Sequence, residues 1–249
     1  MEKSLAEFAE ILGASRRLVF FGGAGVSTES GLKDYRSEDG IYQTARDYGR
    51  PPEEILSHDC LYEEPELFWR FFRDFFFTGA EPNDTHKILA ALESDGRRVS
   101  VVTQNIDGLH QRAGSTRVYE LHGSADRYAC IACGMRAPRD EVVSSPANVP
   151  KCRRCGAMIR PLVTMYGEML DDDVVTGAVT EISRADTLII GGTSLAVYPA
   201  ASFVRYFHGR NLVMINRDPT PYDHLCTLVF HTRLGDVFRD AAKRLSLSY

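Results

Sequence analysis

The chain has 249 residues, 44% of them hydrophobic and 25% charged, a balance that fits a globular protein able to bury a full core. A net charge of −5 and a pI near 5.8 argue against the broad basic face of a general nucleic-acid or membrane-surface binder, and are compatible with a basic protein or peptide as partner. No apolar run reaches the ~20 residues a bilayer span needs.

The N-terminal stretch "MEKSLAEFAEILGASRR" lacks a continuous apolar centre and carries both signs of charge, so it reads as an amphipathic helix and not as a signal peptide. A cytoplasmic location is the expectation. Strand-like runs then recur at 17–22, 98–104, 117–123, 162–167, 186–192, 211–217 and 227–232, most of them nearly unbroken in apolar residues. Such runs suit strands buried on both faces of a parallel sheet. Helical patterns lie between them at 85–94, 171–184, 199–208 and 234–245. The alternation predicts an α/β fold with a doubly wound, mostly parallel, Rossmann-like sheet.

Two stretches break the alternation and divide the sheet domain into 1–37, 86–125 and 161–249. Residues 38–85 form a predicted loop and helical insertion, with Phe68, Phe71, Phe72 and Phe75 on one helix face. That stripe reads as core, with an apolar channel lining as the alternative. Residues 126–160 form a predicted inserted module holding four cysteines.

After the first strand comes "FGGAGVSTESGLKDYRS", residues 21–37. Gly23-x-Gly25 permits a sharp turn and close approach to a pyrophosphate, beside a helix N-terminus. Thr28 stands where the dinucleotide fingerprint has its third glycine, and a turn serving only strand-to-helix packing stays open. Further on, "VVTQNIDGLHQRAG" (101–114) runs a buried strand into Gln104, Asn105, Asp107 and His110. A helix cap needs one such polar residue; three or more at the C-terminal end of a parallel strand suit a ligand crevice. His110 and His86 read as packing or hydrogen-bonding residues. "ELHG" places His122 at a strand end, where a neutral imidazole can take a proton.

Cys130-x2-Cys133 and Cys152-x2-Cys155, with eighteen residues between the pairs, have the spacing of a four-thiolate zinc site. Four thiolates leave no position for water, so the metal is expected to be structural. Two disulfides or four unrelated buried thiols are the alternatives. Cys60 and Cys226 read as small buried hydrophobes.

The segments "GAGVSTESGLKDYR", "TQNIDGLHQRAG", "ELHG", the two Cys-x-x-Cys pairs, "YGE" and "GTSLAVYPA" occur in an order that resembles the sirtuin family of NAD-dependent protein-lysine deacylases, of bacterial or archaeal type. The resemblance implies NAD as co-substrate, structural Zn, and an acylated lysine in a protein or peptide as the other substrate. In sirtuin-like chemistry the amide oxygen attacks the ribose C1′ as nicotinamide leaves, and a ribose hydroxyl then attacks the resulting imidate. The products are nicotinamide, free lysine and O-acyl-ADP-ribose. No protein nucleophile is required, consistent with the lack of a Ser-His-Asp or Cys-His signature.

By position, the resemblance makes His122 the base and gives Asn105 a catalytic orienting role. Ile106 and Asp107 would recognise the nicotinamide carboxamide, and Gln104 the ribose. Gly23, Ala24, Gly25, Ser27 and Thr28 would hold pyrophosphate and ribose, with Tyr35 and Arg36 on the adjoining loop. Thr193, Ser194 and Asn216 would face adenosine, and Asp236 and Val237 the adenine end. Val163, Tyr166, Gly167, Glu168 and Met169 would bind substrate, the last four within a segment that pairs with the peptide as a strand.

The family pattern is broken at Lys33 and Tyr35, where relatives often carry Pro and Phe, and at Thr164 and Met165 beside the acyl-lysine path. Trp69 and Phe72 align with the Tyr-x-x-Arg pair of relatives that prefer acidic acyl groups, so a neutral acyl group is expected here. Mono-ADP-ribosyl transfer and a non-catalytic NAD or ADP-ribose sensor are the competing functions.

Overall fold

The computed structural model describes residues 2–34, 40–41, 48–77 and 79–249. Its main sheet has six strands, β1 (Arg17–Gly22), β2 (Arg98–Thr103), β3 (Val118–Glu120), β7 (Thr187–Gly191), β8 (Asn211–Ile215) and β9 (Leu228–Phe230), in the order β3-β2-β1-β7-β8-β9. Every pairing in it is parallel. The apolar run of β1 serves two faces at once. Leu18 and Phe20 enter the core against the helices Glu2–Ala14 and Leu234–Arg244, while Val19 and Phe21 enter the core against the helix Asp172–Arg184 and the turn Ala200–Tyr206. From β1 the chain winds outward through β2 and β3, then returns to β7 on the other side of β1. The strand order therefore reverses between β1 and β7, the point where doubly wound sheets open a crevice.

A second sheet, antiparallel and three-stranded, has the order β5-β4-β6, with β4 (Gly123–Cys130), β5 (Arg136–Ala137) and β6 (Ile159–Val163). The strand expected at 162–167 is thus found at 159–163 and belongs to this small sheet. Its continuation is a turn, since Glu168 N donates to Met165 O at 2.9 Å and Gly167 has φ of 89°. A positive φ at the third position of such a turn is what glycine supplies. The helix expected at 199–208 is a 3₁₀ helix over Ala200–Tyr206.

The helical insertion packs on the small sheet and not on the main one. Phe68, Trp69, Phe71 and Phe72 of the helix Pro65–Phe76 have no exposed surface, and they share one core with Tyr128, Cys130, Cys152 and Ile159. Phe68 and Phe71 of the expected stripe are therefore core, each fully buried ring contributing roughly 1.5–3 kcal/mol. Phe72 and the half-buried Phe75 also line the cavity described below, so both expected roles are present in the one stripe. Charged Glu66, Arg70, Arg73 and Asp74 occupy the rest of the helix surface, so only one face can be buried without stranding a charge.

Candidate active site

The crevice at the sheet's reversal opens into a cavity of about 1590 Å³. Single-ligand pockets run to roughly 300–1,000 Å³, so this one has room for two reactants side by side. Gly23, Ala24, Gly25, Ser27, Thr28, Gln104, Asn105, Ile106, Asp107, His122, Thr193, Ser194 and Asn216 all line it. Asp236 and Val237 do not. The helix Leu234–Arg244 begins just before them, turning Val237 into the core and Asp236 toward Arg239; Thr232, Arg233 and Leu234 line the cavity in their stead. Tyr35 and Arg36 lie outside the described residues.

The glycine loop differs from the expected phosphate cradle. Gly23 N donates to Gly191 O at 3.2 Å and Gly25 N to Gly192 O at 2.8 Å, so both amides are held by the end of β7. A Cβ on Gly25 would sit 2.8 Å from Gly192 Cα, which requires glycine for the approach of loop to strand. The loop continues as a seven-residue 3₁₀ helix, Ala24–Ser30, and not as a long α-helix.

Polar side chains converge beside this loop. Ser27 Oγ donates to Asp107 Oδ2 at 2.7 Å, and Leu109 N donates to Asp107 Oδ1 at 2.9 Å. Asp107 accordingly lines the pocket while holding the first amide of the short helix Leu109–Arg112 across its N-cap, Gly108. Burial raises its pKa, opposed by these two hydrogen bonds. Asn105 Nδ2 donates to Gly23 O and Ser27 Oγ, both at 3.1 Å, fixing its carboxamide. Gln104 Nε2 donates to Thr193 Oγ1 at 3.0 Å and ties the ends of β2 and β7 together.

His122 Nδ1 lies 2.8 Å from Gln104 O. A carbonyl only accepts, so Nδ1 carries the proton and Nε2 keeps its lone pair. Burial lowers the His122 pKa below 6.5, with the Gln104 hydrogen bond working the other way. The backbone is equally fixed: Thr164 N donates to His122 O at 2.9 Å, and a Cβ on Gly123 would fall 2.1 Å from Leu162 O. The glycine of "ELHG" lets β4 pair with β6 immediately after the histidine.

Val163, Tyr166, Gly167, Glu168 and Met169 line the cavity, as do Val197, Tyr198 and Pro199. The last three escape sequence reasoning, because a mostly apolar "VYP" run looks no different from core; its only signal is its place inside "GTSLAVYPA". Tyr166 N donates to Leu56 O at 3.0 Å and its carbonyl accepts from His58 N at 2.9 Å, so its backbone is already paired within the chain. Phe72 lines the cavity, whereas Trp69 is wholly in the core against Tyr128.

The sulfur atoms of Cys130, Cys133, Cys152 and Cys155 lie within 4.8 Å of one another, with Cys130–Cys155 at 3.4 Å and Cys133–Cys152 at 3.7 Å. A tetrahedral zinc with ~2.3 Å bonds sets sulfurs about 3.8 Å apart, so the four fit that ion. Cys60 is buried and Cys226 half-buried, apart from this cluster.

Residues 23–199 match the Sir2 family. An NAD-dependent protein deacetylase of Clostridium acetobutylicum is 48% identical over 232 residues, covering 93% of this chain and 95% of that protein. One from Cutibacterium acnes is 50% identical over 230 residues, covering 92% and 93%. A solved Sir2 variant with a deacetylated p53 peptide and 3′-O-acetyl-ADP-ribose superimposes with a TM-score of 0.88 at 37% identity, covering 98% of this chain and 99% of that one. A Sir2–p53 peptide–NAD⁺ structure gives 0.84 at 37% identity, with the same coverage. The chain belongs to the Sir2 family.

Proposed function

We propose that this chain is an NAD-dependent protein-lysine deacylase, a deacetylase first of all, which moves the acyl group from lysine to ADP-ribose and releases nicotinamide. The observation that carries the reading is His122: a half-buried, neutral imidazole with Nδ1–H anchored to Gln104 O and Nε2 left basic, in one cavity with Asn105 and Asp107. The relatives named NAD-dependent protein deacetylase, matched along nearly their whole length, support the same activity over ADP-ribosyl transfer or sensing.

The donor set suits NAD. Asp107 is held by two donors and keeps acceptor capacity for the amide hydrogens of a carboxamide, while Asn105 and Ser27 hold the neighbouring wall. NAD supplies the electrophilic ribose carbon and the hydroxyl that accepts the acyl group. The chain orients the two reactants, excludes water from their junction, and takes the hydroxyl proton at His122 Nε2. Gly167, Met169 and the Glu168 carbonyl are the backbone proposed to pair with peptide, since Tyr166 is paired through both its groups and Glu168 N already donates to Met165 O. The four cysteines would hold zinc as a cross-link of the small sheet, and none of them lines the cavity.

An acetyl-lysine peptide incubated with and without NAD and followed by mass spectrometry tests this. NAD-dependent loss of acetyl, with matching nicotinamide and O-acetyl-ADP-ribose, is expected in wild type and is lost in His122→Ala. ADP-ribose appearing on protein would move the assignment to transfer. Phe72 on the cavity wall offers no charge to an acidic acyl group and Trp69 is out of reach in the core, so acetyl leaves faster than succinyl from the same peptide. Competing the two peptides in one reaction measures that ratio, and a succinyl preference refutes it.

A further inference from the structure

We propose that Arg160 is a positioning residue for substrate peptide, acting through Glu168 to hold the 165–169 turn in its binding shape. The inference rests on the deacylase reading and deepens it. Arg160 lies on β6 of the small sheet, opposite Ala129 of β4. Its guanidinium donates through Nη1 to Glu168 Oε1 at 2.7 Å and through Nη2 to Glu168 Oε2 at 2.8 Å. Nη2 also donates to Val163 O at 3.0 Å, and Nε to Pro161 O at 3.2 Å. Four separate acceptors need the fork of an arginine, which a lysine's single ammonium does not match.

Glu168 is fully engaged from the other side. Its Oε2 accepts from Met165 N at 2.9 Å, across the turn that Glu168 N closes on Met165 O. Both side chains are only 19% exposed, so the pair is little screened by solvent. Glu168 thus lines the cavity with a carboxylate committed to Arg160 and to its own turn, and it shapes the backbone more than it meets the peptide. The turn presents Met169 at 87% exposure and Tyr166 at 43%, in the same cavity as Tyr198. Strand-like pairing demands that the backbone groups of 167–169 point correctly before peptide arrives, and the ion pair is what fixes them.

The test measures binding of a fluorescent acetyl-lysine peptide by anisotropy and of ADP-ribose by calorimetry, on the full chain with its metal content checked. Arg160→Lys weakens the peptide about tenfold, a loss equivalent to one charge-assisted hydrogen bond. ADP-ribose affinity stays within about twofold, because the fork touches no residue of the opposite wall. Glu168→Gln, which keeps the side-chain shape, weakens the peptide in the same direction and guards against a variant that fails to fold. Combining Arg160→Lys with Glu168→Gln gives a double variant no weaker than the worse of the two singles, since the two residues act as a unit. Additive losses, an equal loss of ADP-ribose affinity, or unchanged peptide affinity would each overturn the role. Wild-type protein that does not bind the acetylated peptide overturns the deacylase reading itself, whereas wild-type binding with unaffected variants overturns only this inference.

Discussion

The Gln104 carbonyl decides which nitrogen of His122 carries the proton, fixing it on Nδ1, and burial keeps the ring neutral to lower pH than an exposed imidazole. Only the neutral form takes a proton, so a lowered pKa extends activity toward acid. The acid limb of kcat/KM therefore has its midpoint below 6.5, and a pH profile at saturating NAD measures it. A midpoint above 6.5 would show either a different base or a ring held as imidazolium. Asn105 and Asp107 stand out in sequence because, with Gln104, they crowd one strand end with polar groups that the sheet does not need, whereas His122 is singled out only by the resemblance of "ELHG" to the family motif. Asp107 marks the limit of that legibility: holding a helix start and forming a pocket wall look exclusive in sequence, yet one carboxylate accepts from Leu109 N and Ser27 Oγ and still lines the cavity.

The helical insertion and the small sheet form one unit, although they are separated along the chain. Periodicity marks the helix Pro65–Phe76 as amphipathic but carries no information on its partner. The partner is the cysteine-bearing sheet: Trp69 stacks on Tyr128 with ring centroids 6.3 Å apart, in a core that includes Cys130 and Cys152. The strand expected at 162–167 is displaced for a similar reason, since an apolar run ending in a turn looks the same whichever sheet pairs with it. Because Trp69 is the only tryptophan in the sequence, its fluorescence reports on this unit. Metal binding energy is folding energy for such small modules. Stripping zinc with a chelator should shift Trp69 emission to longer wavelength while the main sheet's far-UV circular dichroism persists, and zinc readdition should restore it. Unchanged emission after complete metal loss would mean that the sheet stands without its cross-link.

The molecule as one body is built on a parallel sheet readable from its apolar runs, whose reversal between β1 and β7 places the two glycine segments face to face. Sequence does not disclose how the core behind that junction responds to acid. His86 and His110 meet at 4.5 Å between ring centroids, both buried, and burial drives both pKa values down, that of His86 to about 3. His86 Nδ1 accepts from Asn83 N at 3.3 Å, and Asn83 Nδ2 donates to Val26 O at 2.8 Å, so the pair stands directly behind the glycine loop. A histidine whose folded pKa is lowered has its full stabilising effect above 6.5, and the effect falls away as the unfolded chain gains protons below that value. At pH 5 His86 alone removes roughly 2 kcal/mol, and His110 acts in the same direction. Asp107 and Glu120, with raised pKa values, work in the opposite direction, so the comparison needs a variant. Urea midpoints measured from pH 7.5 to 5.0 should fall steadily in wild type, and His86→Gln should have a shallower fall even where its midpoint at pH 7.5 is lower. Equal slopes in the two proteins would place the acid sensitivity elsewhere in the core.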